Sequence, residues 1–358
     1  MLDLKPDCRY HLIIPTSMGT RLTPVDGQPF HCSDTFKLQA TSAESNVGSV
    51  PSYLGLKVKI LTAFVKGSPV SRLIKDNLAS RHMEYEGPEF DQGGPWGYRH
   101  QINMADSGAG ARGPRVHNDR AGEVGRMLNV KHFDLDRLFA KEGAQVVHLS
   151  GLIGALSPDT SRFCLDIARA AKQQGTRISF DLNHRASFWV GREKELSEIF
   201  REIASLADIL VGNEEDFQLC LGVKGPEAGG KGIDAKIDGF KEMIGRVKQA
   251  FPNASVFATT LREVVSANLH EWGAIVSASG GWHVLPMREI GVIDRIGGGD
   301  GFVSGLLYGI LKQWDAEKCA QFGWASGALA ATMLTDYAQP ADEDQVWSIW
   351  KGNARVQR

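Results

Sequence analysis

The sequence predicts an α/β protein in which a mostly parallel sheet is covered by helices on both faces and carries a small flap. Two observations lead there. From about residue 144 onward, short apolar runs ending in glycine or a polar residue alternate with segments of helical period. Strands that alternate with helices need crossover connections, and these build a parallel sheet buried on both sides. The first 140 residues differ: they hold many turn formers and few long helical stripes, which suits an antiparallel or irregular flap on the α/β body.

Taken along the chain, the flap segments fall at about residues 10–40 and 96–121. Tyr10–Leu38 and Tyr98–Val116 lack helical periodicity, and the second contains Gly108, Gly110, Gly113 and Pro114. Between them, Lys57–Phe64 reads as a strand, and Val70, Leu73, Ile74, Asn77 and Leu78 outline a helix. Downstream, Gln145–Leu149, Arg177–Asp181, Ile209–Gly212 and Ser255–Thr259 read as short buried strands. The intervening helices have clear stripes. Cys164, Ile167, Ala168 and Ala171 follow a Ser157 N-cap, with Pro158 in the first helical position and Gly175 past the end. Leu196, Ile199, Phe200 and Ile203 repeat the spacing, as do Phe240, Met243, Ile244 and Val247. No linker divides the chain, so residues 1–358 read as one domain.

Composition narrows the function classes. Forty basic against 42 acidic residues give a net charge of -2, which offers nucleic acid or an anionic membrane no general attraction. Any anion site must therefore be local. The five cysteines are odd in number and widely spaced, as expected of reduced thiols in a cytoplasmic protein. The ten histidines form no H-x-x-x-H pair, so no transition metal is expected. Asp3, Lys5, Asp7 and Arg9 deny the first ten residues a signal-peptide core, and no 18-residue apolar run is present.

The chemistry concentrates in Asp294-Arg-Ile-Gly297-Gly298-Gly299-Asp300-Gly301-Phe302. Phe302, Val303, Leu306, Leu307 and Ile310 keep helical spacing, so the glycines open a helix. Unpaired N–H groups and the helix dipole accept an anion there, and glycine lets it approach closely. Asp300 beside that anion site could take a proton from an attacking hydroxyl. A glycine-rich turn with Asp300 as a cap is the competing reading of these residues alone. Neither G-x-x-x-x-G-K-[ST] nor a strand-linked G-x-G-x-x-G occurs.

Asp294–Phe302 resembles the C-terminal signature of the PfkB, or ribokinase-like, carbohydrate kinases. His148–Gly151, Leu156–Pro158, Phe180-Asp-Leu-Asn183-His-Arg185 and Trp189 follow in family order and look like the 2-keto-3-deoxygluconate kinase branch. The resemblance implies a ribokinase-like fold with a small β lid, ATP and Mg²⁺ as cofactors, a sugar or sugar-acid partner, and possible pairing of two copies through the lid. It implies Asp300 as the base, with Gly297, Gly298 and Gly299 as the anion hole. Asn213 and Asp216, in a variant of the N-x-x-E element, would lie near the triphosphate, with Asp216 acting on Mg²⁺ indirectly. Thr260 and Arg262 would flank the nucleotide. Arg185, whose alternative is an ion pair with Asp181, would hold the acid group of the acceptor. Arg120, Asn118, Ser42, Asn46 and Asp336 would complete the acceptor side.

The N-terminal half departs from that pattern. The family's G-E is Pro15-Thr16, its paired glycines are Thr41-Ser42, and the tyrosine before Asp-Arg is Asn118. These changes leave the phosphoryl-transfer residues in place and bear on which acceptor fits. A kinase of another sugar or polyol, fructokinase-like, and a non-catalytic regulator derived from the family are the two alternatives.

Overall fold

Tyr10–Pro15 (YHLIIP) is short, apolar and flanked by polar residues, and in the computed structural model, which describes residues 2–225 and 233–355, it lies inside the main sheet. It is the first strand, β1. The chain then runs between body and lid through β2 (Gly19–Pro24), β3 (Phe36–Thr41), β4 (Val58–Leu61), β5 (Phe64–Val65), β6 (Met83–Glu86), β7 (Glu89–Phe90), β8 (Ile102–Asp106) and β9 (Arg115–Asp119), with β5 and β7 forming a separate two-stranded pair. The remaining strands, β10 (Ala144–Ser150), β11 (Arg177–Asp181), β12 (Ile209–Val211), β13 (Val256–Ser266), β14 (Leu269–Ala278) and β15 (Gly281–Gly291), belong to the body.

The nine-stranded sheet has the order β15-β14-β13-β12-β11-β10-β1-β4-β6. Every pairing from β6 to β13 is parallel, and β13–β14–β15 finish the edge antiparallel. Alternate residues feed two cores. Ile13, Val147, Phe180 and Leu210 meet the helices Pro158–Gln173 and Glu193–Leu206 on one face. Leu12, Ile14, Val146 and Ile209 meet Gly298–Leu311 and Ala316–Ala331 on the other. The architecture is the ribokinase-like α/β fold expected.

Four strands in the order β3-β2-β8-β9 form the lid sheet. The flap boundary read as 10–40 thus begins too early: Tyr10–Pro15 pairs in parallel with β10 and β4, and the lid starts at Gly19. A buried central strand and a flap strand look alike in a sequence that lacks helical period. The segment 96–121 does hold the other two lid strands.

Ser157 caps its helix as expected, in a capping box with Thr160. Pro51 sits early in the helix Ser49–Tyr53, made possible by a break at Gly48 after Ala43–Val47. The strand expected at Ser255–Thr259 runs on to Ser266 and turns into β14 and then β15. The turn between them places Ser279 (φ 52) and Gly280 (φ 78) in the left-handed region that a two-residue hairpin demands. Trp347 and Trp350 pack on Trp314 and Trp324, as interior aromatic residues do.

Candidate active site

The carboxyl ends of β10, β11, β12 and β13 open toward the start of the helix Gly298–Leu311, where ligands of open parallel sheets bind. Gly297 is the N-cap at φ 86, and the first turn receives no side-chain cap. Gly301 N donates to Gly297 O at 2.8 Å, closing that turn and leaving its opening amides without intrahelical partners. A Cβ on Gly297 would come within 1.8 Å of Asp336 O, so the close approach requires glycine. A Cβ on Gly299 would meet nothing within 4 Å. Open space over unpartnered amides is what an anion needs.

Asp300 lies in this first turn, and Asn46 Nδ2 donates to its Oδ2 at 2.9 Å. Burial pushes its carboxyl up to about 7. The Asn46 bond and Arg185 oppose that shift, whereas Asp336 and Glu44 add to it. Glu44 is fully buried, accepting from Thr16 Oγ1 at 2.7 Å and from Ile153 N at 3.2 Å. Thr16, one of the departures from the family pattern, thus anchors an acid that acts on the Asp300 carboxyl.

Asp300 stands where two cavities meet. One, of about 570 Å³, extends along Asn213, Thr260, Arg262, Arg295 and Gly299. The other, of about 540 Å³, extends under the lid along Ser42, Asn46, Asn118, Arg120 and Asp336. Both are lined by Arg185, Ile296, Gly297 and Asp300.

On the first side, Asn213 and Asp216 form a reciprocal capping box, each side chain accepting the other's backbone N–H at 2.9 Å. The second oxygen of Asp216 accepts from His184 N at 3.0 Å, which ties the loop after β11 to this helix start. Asp181 lies in the same cavity, and burial with Asp216 and Asp300 nearby raises its carboxyl well above the usual range. Arg262 is lowered to about 10 by desolvation and by Arg295 beside it, so two guanidinium groups face the cavity. Among the described residues no group of three or more His, Cys, Asp or Glu side chains is placed to hold a metal ion.

On the lid side the expected residues converge, but several polar groups are already engaged. Arg120 Nη1 donates to both oxygens of buried Glu123 at 2.8 and 2.9 Å, and its guanidinium lies over the Phe188 ring. Ser42 caps the helix Ala43–Val47, its hydroxyl accepting from Ser45 N at 3.0 Å. Thr41 Oγ1 donates to Asp336, as does Gln39 Nε2 at 2.7 Å, so the hydroxyl at 41 serves the protein. Arg185 makes no ion pair with Asp181 among the described residues. Its one hydrogen bond is to the adjacent His184 carbonyl at 2.9 Å, leaving an exposed guanidinium between the cavities.

Sequence reasoning passed over Arg21, Gln101 and Asn103, all of which line the lid-side cavity. Their alternate spacing on β2 and around β8 was the available signal, hidden because that stretch gave no strand period by eye. Arg21 forms a buried ion pair with Asp294, ahead of the glycine run.

Comparison with known proteins agrees with this geometry. Residues 125–341 match the model of the pfkB family carbohydrate kinases. A 2-dehydro-3-deoxygalactonokinase of Haloferax volcanii is 24% identical over 344 residues, covering 94% of this chain and 96% of that one. A 5-dehydro-2-deoxygluconokinase of Clostridium tetani is 26% identical, over 88% of this chain and 86% of its own. The crystal structure of 2-dehydro-3-deoxygluconokinase from Thermotoga maritima superposes with a TM-score of 0.85 at 25% identity, over 96% of this chain and 99% of that one. An E. coli protein described as a ribokinase II in complex with ATP and Mg²⁺ shares the fold, with a TM-score of 0.73 at 16% identity over 96% of this chain and 99% of that one. The match over residues 125–341, more than half the length, makes this chain a member of the pfkB carbohydrate kinase family, a family of ATP-using sugar kinases.

Proposed function

We propose that this kinase phosphorylates a primary hydroxyl of a sugar acid of the 2-keto-3-deoxygluconate kind. The observation that carries the reading is the placement of Asp300, with its raised carboxyl, at the one junction between the nucleotide-side and lid-side cavities. Its carboxylate takes the hydroxyl proton as the oxygen attacks the γ-phosphorus and the bond to the ADP oxygen breaks. The amides of Gly298, Gly299 and Asp300 point charge-stabilising dipoles at the transferring group. Arg262 and Arg295 counter the charge of the phosphates.

The residues present fit the triphosphate: the cradle over Gly299 is open, and the first turn of its helix is uncapped. They fit Mg²⁺ as an ion held by phosphate and water, since Asp216 has both oxygens on backbone amides and acts indirectly. When bound, Mg²⁺ supplies positive charge to the phosphate oxygens. Arg185, which forms no ion pair among the described residues and whose guanidinium donates to the His184 carbonyl, takes the acceptor's carboxylate.

A coupled ADP-release assay over a panel of sugars and sugar acids tests this. Turnover selective for 2-keto-3-deoxygluconate, reduced by on the order of 10³-fold or more in Asp300→Asn, is expected. Near-full activity in Asp300→Asn would remove the assigned base. A second reading, a neutral polyol as acceptor, draws on Arg120 being already matched to Glu123. In that case Arg185→Ala would weaken acidic and neutral acceptors equally.

A further inference from the structure

One row of side chains crosses all four strands of the lid. The strand register places Gln39 opposite Arg21, Arg21 opposite Asn103, and Asn103 opposite Asn118. Residues in register across a sheet share a face. Arg21, Asn103 and Asn118 line the lid-side cavity together with Asp300. Three members of the row, from β2, β8 and β9, therefore line the space under the lid.

Arg21 is only 1% exposed, and its Nη2 pairs with the fully buried Asp294. Its Nε and Nη1 are also buried and have no hydrogen-bond partner among the described residues. The same holds for Asn103 Oδ1 and for Oε1 of the adjacent cavity residue Gln101. Buried donors on a charged group are seldom left unpaired, because losing water without a replacement is costly. Here the unpaired donors and unpaired acceptors belong to residues that line one cavity. A bound molecule offering both kinds of group would satisfy them together.

We infer that Arg21 and Asn103 bind the end of the acceptor remote from the phosphorylated hydroxyl. The Arg21 Nε and Nη1 groups donate to a carbonyl-type oxygen, and Asn103 Oδ1 accepts from a neighbouring hydroxyl. This assignment rests on the sugar-kinase reading and deepens it: the acceptor class is one with an sp² oxygen, carboxylate or keto, next to a hydroxyl. Asp294 holds the guanidinium in place by pairing with Nη2, and the same aspartate accepts from Ile296 N at 3.0 Å at the start of the anion-hole loop. Arg21 thus touches the acceptor from the lid while anchored to the body.

The test uses the full chain with Arg21→Lys, which keeps a positive charge for Asp294 but removes the planar donors, and Asn103→Leu, which leaves the ion pair alone. Acceptor KM is expected to rise by about 10-fold or more in Arg21→Lys and several-fold in Asn103→Leu, with KM for ATP within about twofold of wild type. A merely structural role would lower the melting temperature or kcat and leave acceptor KM unmoved. Unchanged acceptor KM in both variants overturns the proposal; if Arg21→Lys does not fold, an unchanged value in Asn103→Leu alone does so. Three acceptor types separate the source of the oxygen. A penalty retained on a neutral 2-keto sugar assigns the keto oxygen, and one retained on an aldonate without a keto group assigns the carboxylate. Wild-type protein that turns over no acceptor at all would overturn the underlying reading as well, a result distinguishable because it appears before any substitution is made.

Discussion

Asp300 shows how one side chain can be set against the stability of the fold that holds it. Its carboxyl, raised by burial to about 7, must be ionised to accept a proton. Acceptor kcat/KM should therefore climb about tenfold per pH unit below 7 and level off above it, as read from a pH–rate profile. The stability effect has the opposite sense. A carboxyl with a raised folded-state value favours the fold when protonated, and that advantage is lost as pH rises from the ordinary range through about 7. Asp300→Asn should thus stabilise the protein by on the order of 2 kcal/mol at pH 8, with the gain vanishing below about pH 4. Thermal unfolding at the two pH values measures it. An inactive variant that melts higher at pH 8 would identify the residue as a strained functional group.

The glycines at the opening of the helix Gly298–Leu311 are there for different reasons. Gly297 has a positive φ and a carbonyl pressed against the place where a Cβ would go, so Gly297→Ala should cost about 2–4 kcal/mol of stability along with activity. Gly299 has open space above it, so Gly299→Ala should fold normally while its methyl group occupies the anion cradle. The expected result is a drop in kcat of on the order of 10²-fold with an unchanged melting temperature, and equal losses of stability in the two variants would contradict this division. The glycine run and Asp300 were legible in the sequence because a helical stripe follows them directly. Asn213 and Asp216 were legible as a variant of the N-x-x-E element, but not as a capping box, since the reciprocal bonds to backbone amides appear only once the helix start is in place. The antiparallel β13–β15 edge escaped for a related reason: Arg262, Glu263 and Glu271 interrupt its alternation where the strands leave the core.

At the scale of the molecule, the sheet joins what the sequence separates. Strand β1 lies between β10 and β4, with partners 134 residues apart at its first register pair and 46 at another. Removing residues 1–15 should therefore abolish folding, in contrast to the modest loss expected had this segment belonged to the lid. Size-exclusion chromatography and circular dichroism of the truncated chain decide it; a folded product would mean that the parallel sheet can close without the strand between β10 and β4. Alternating strands and helices made the body readable from residue 144 onward, because each strand there is short, apolar and punctuated. The lid-side cavity was harder to see. Its residues come from β2, β3, β8, β9 and the loop after β11, and only their register across the lid assembles them.

That division has an evolutionary corollary. Asn103 and Asn118 can each be exchanged without disturbing the loop that handles phosphate, so the range of acceptors can drift one residue at a time while the reaction is inherited intact. Arg21 is excluded from that freedom. Because the same guanidinium lines the lid-side cavity and clasps Asp294, a replacement there would disturb both the acceptor contact proposed above and the loop that leads into the glycine run, and a lineage that abandons it would need a second change to compensate.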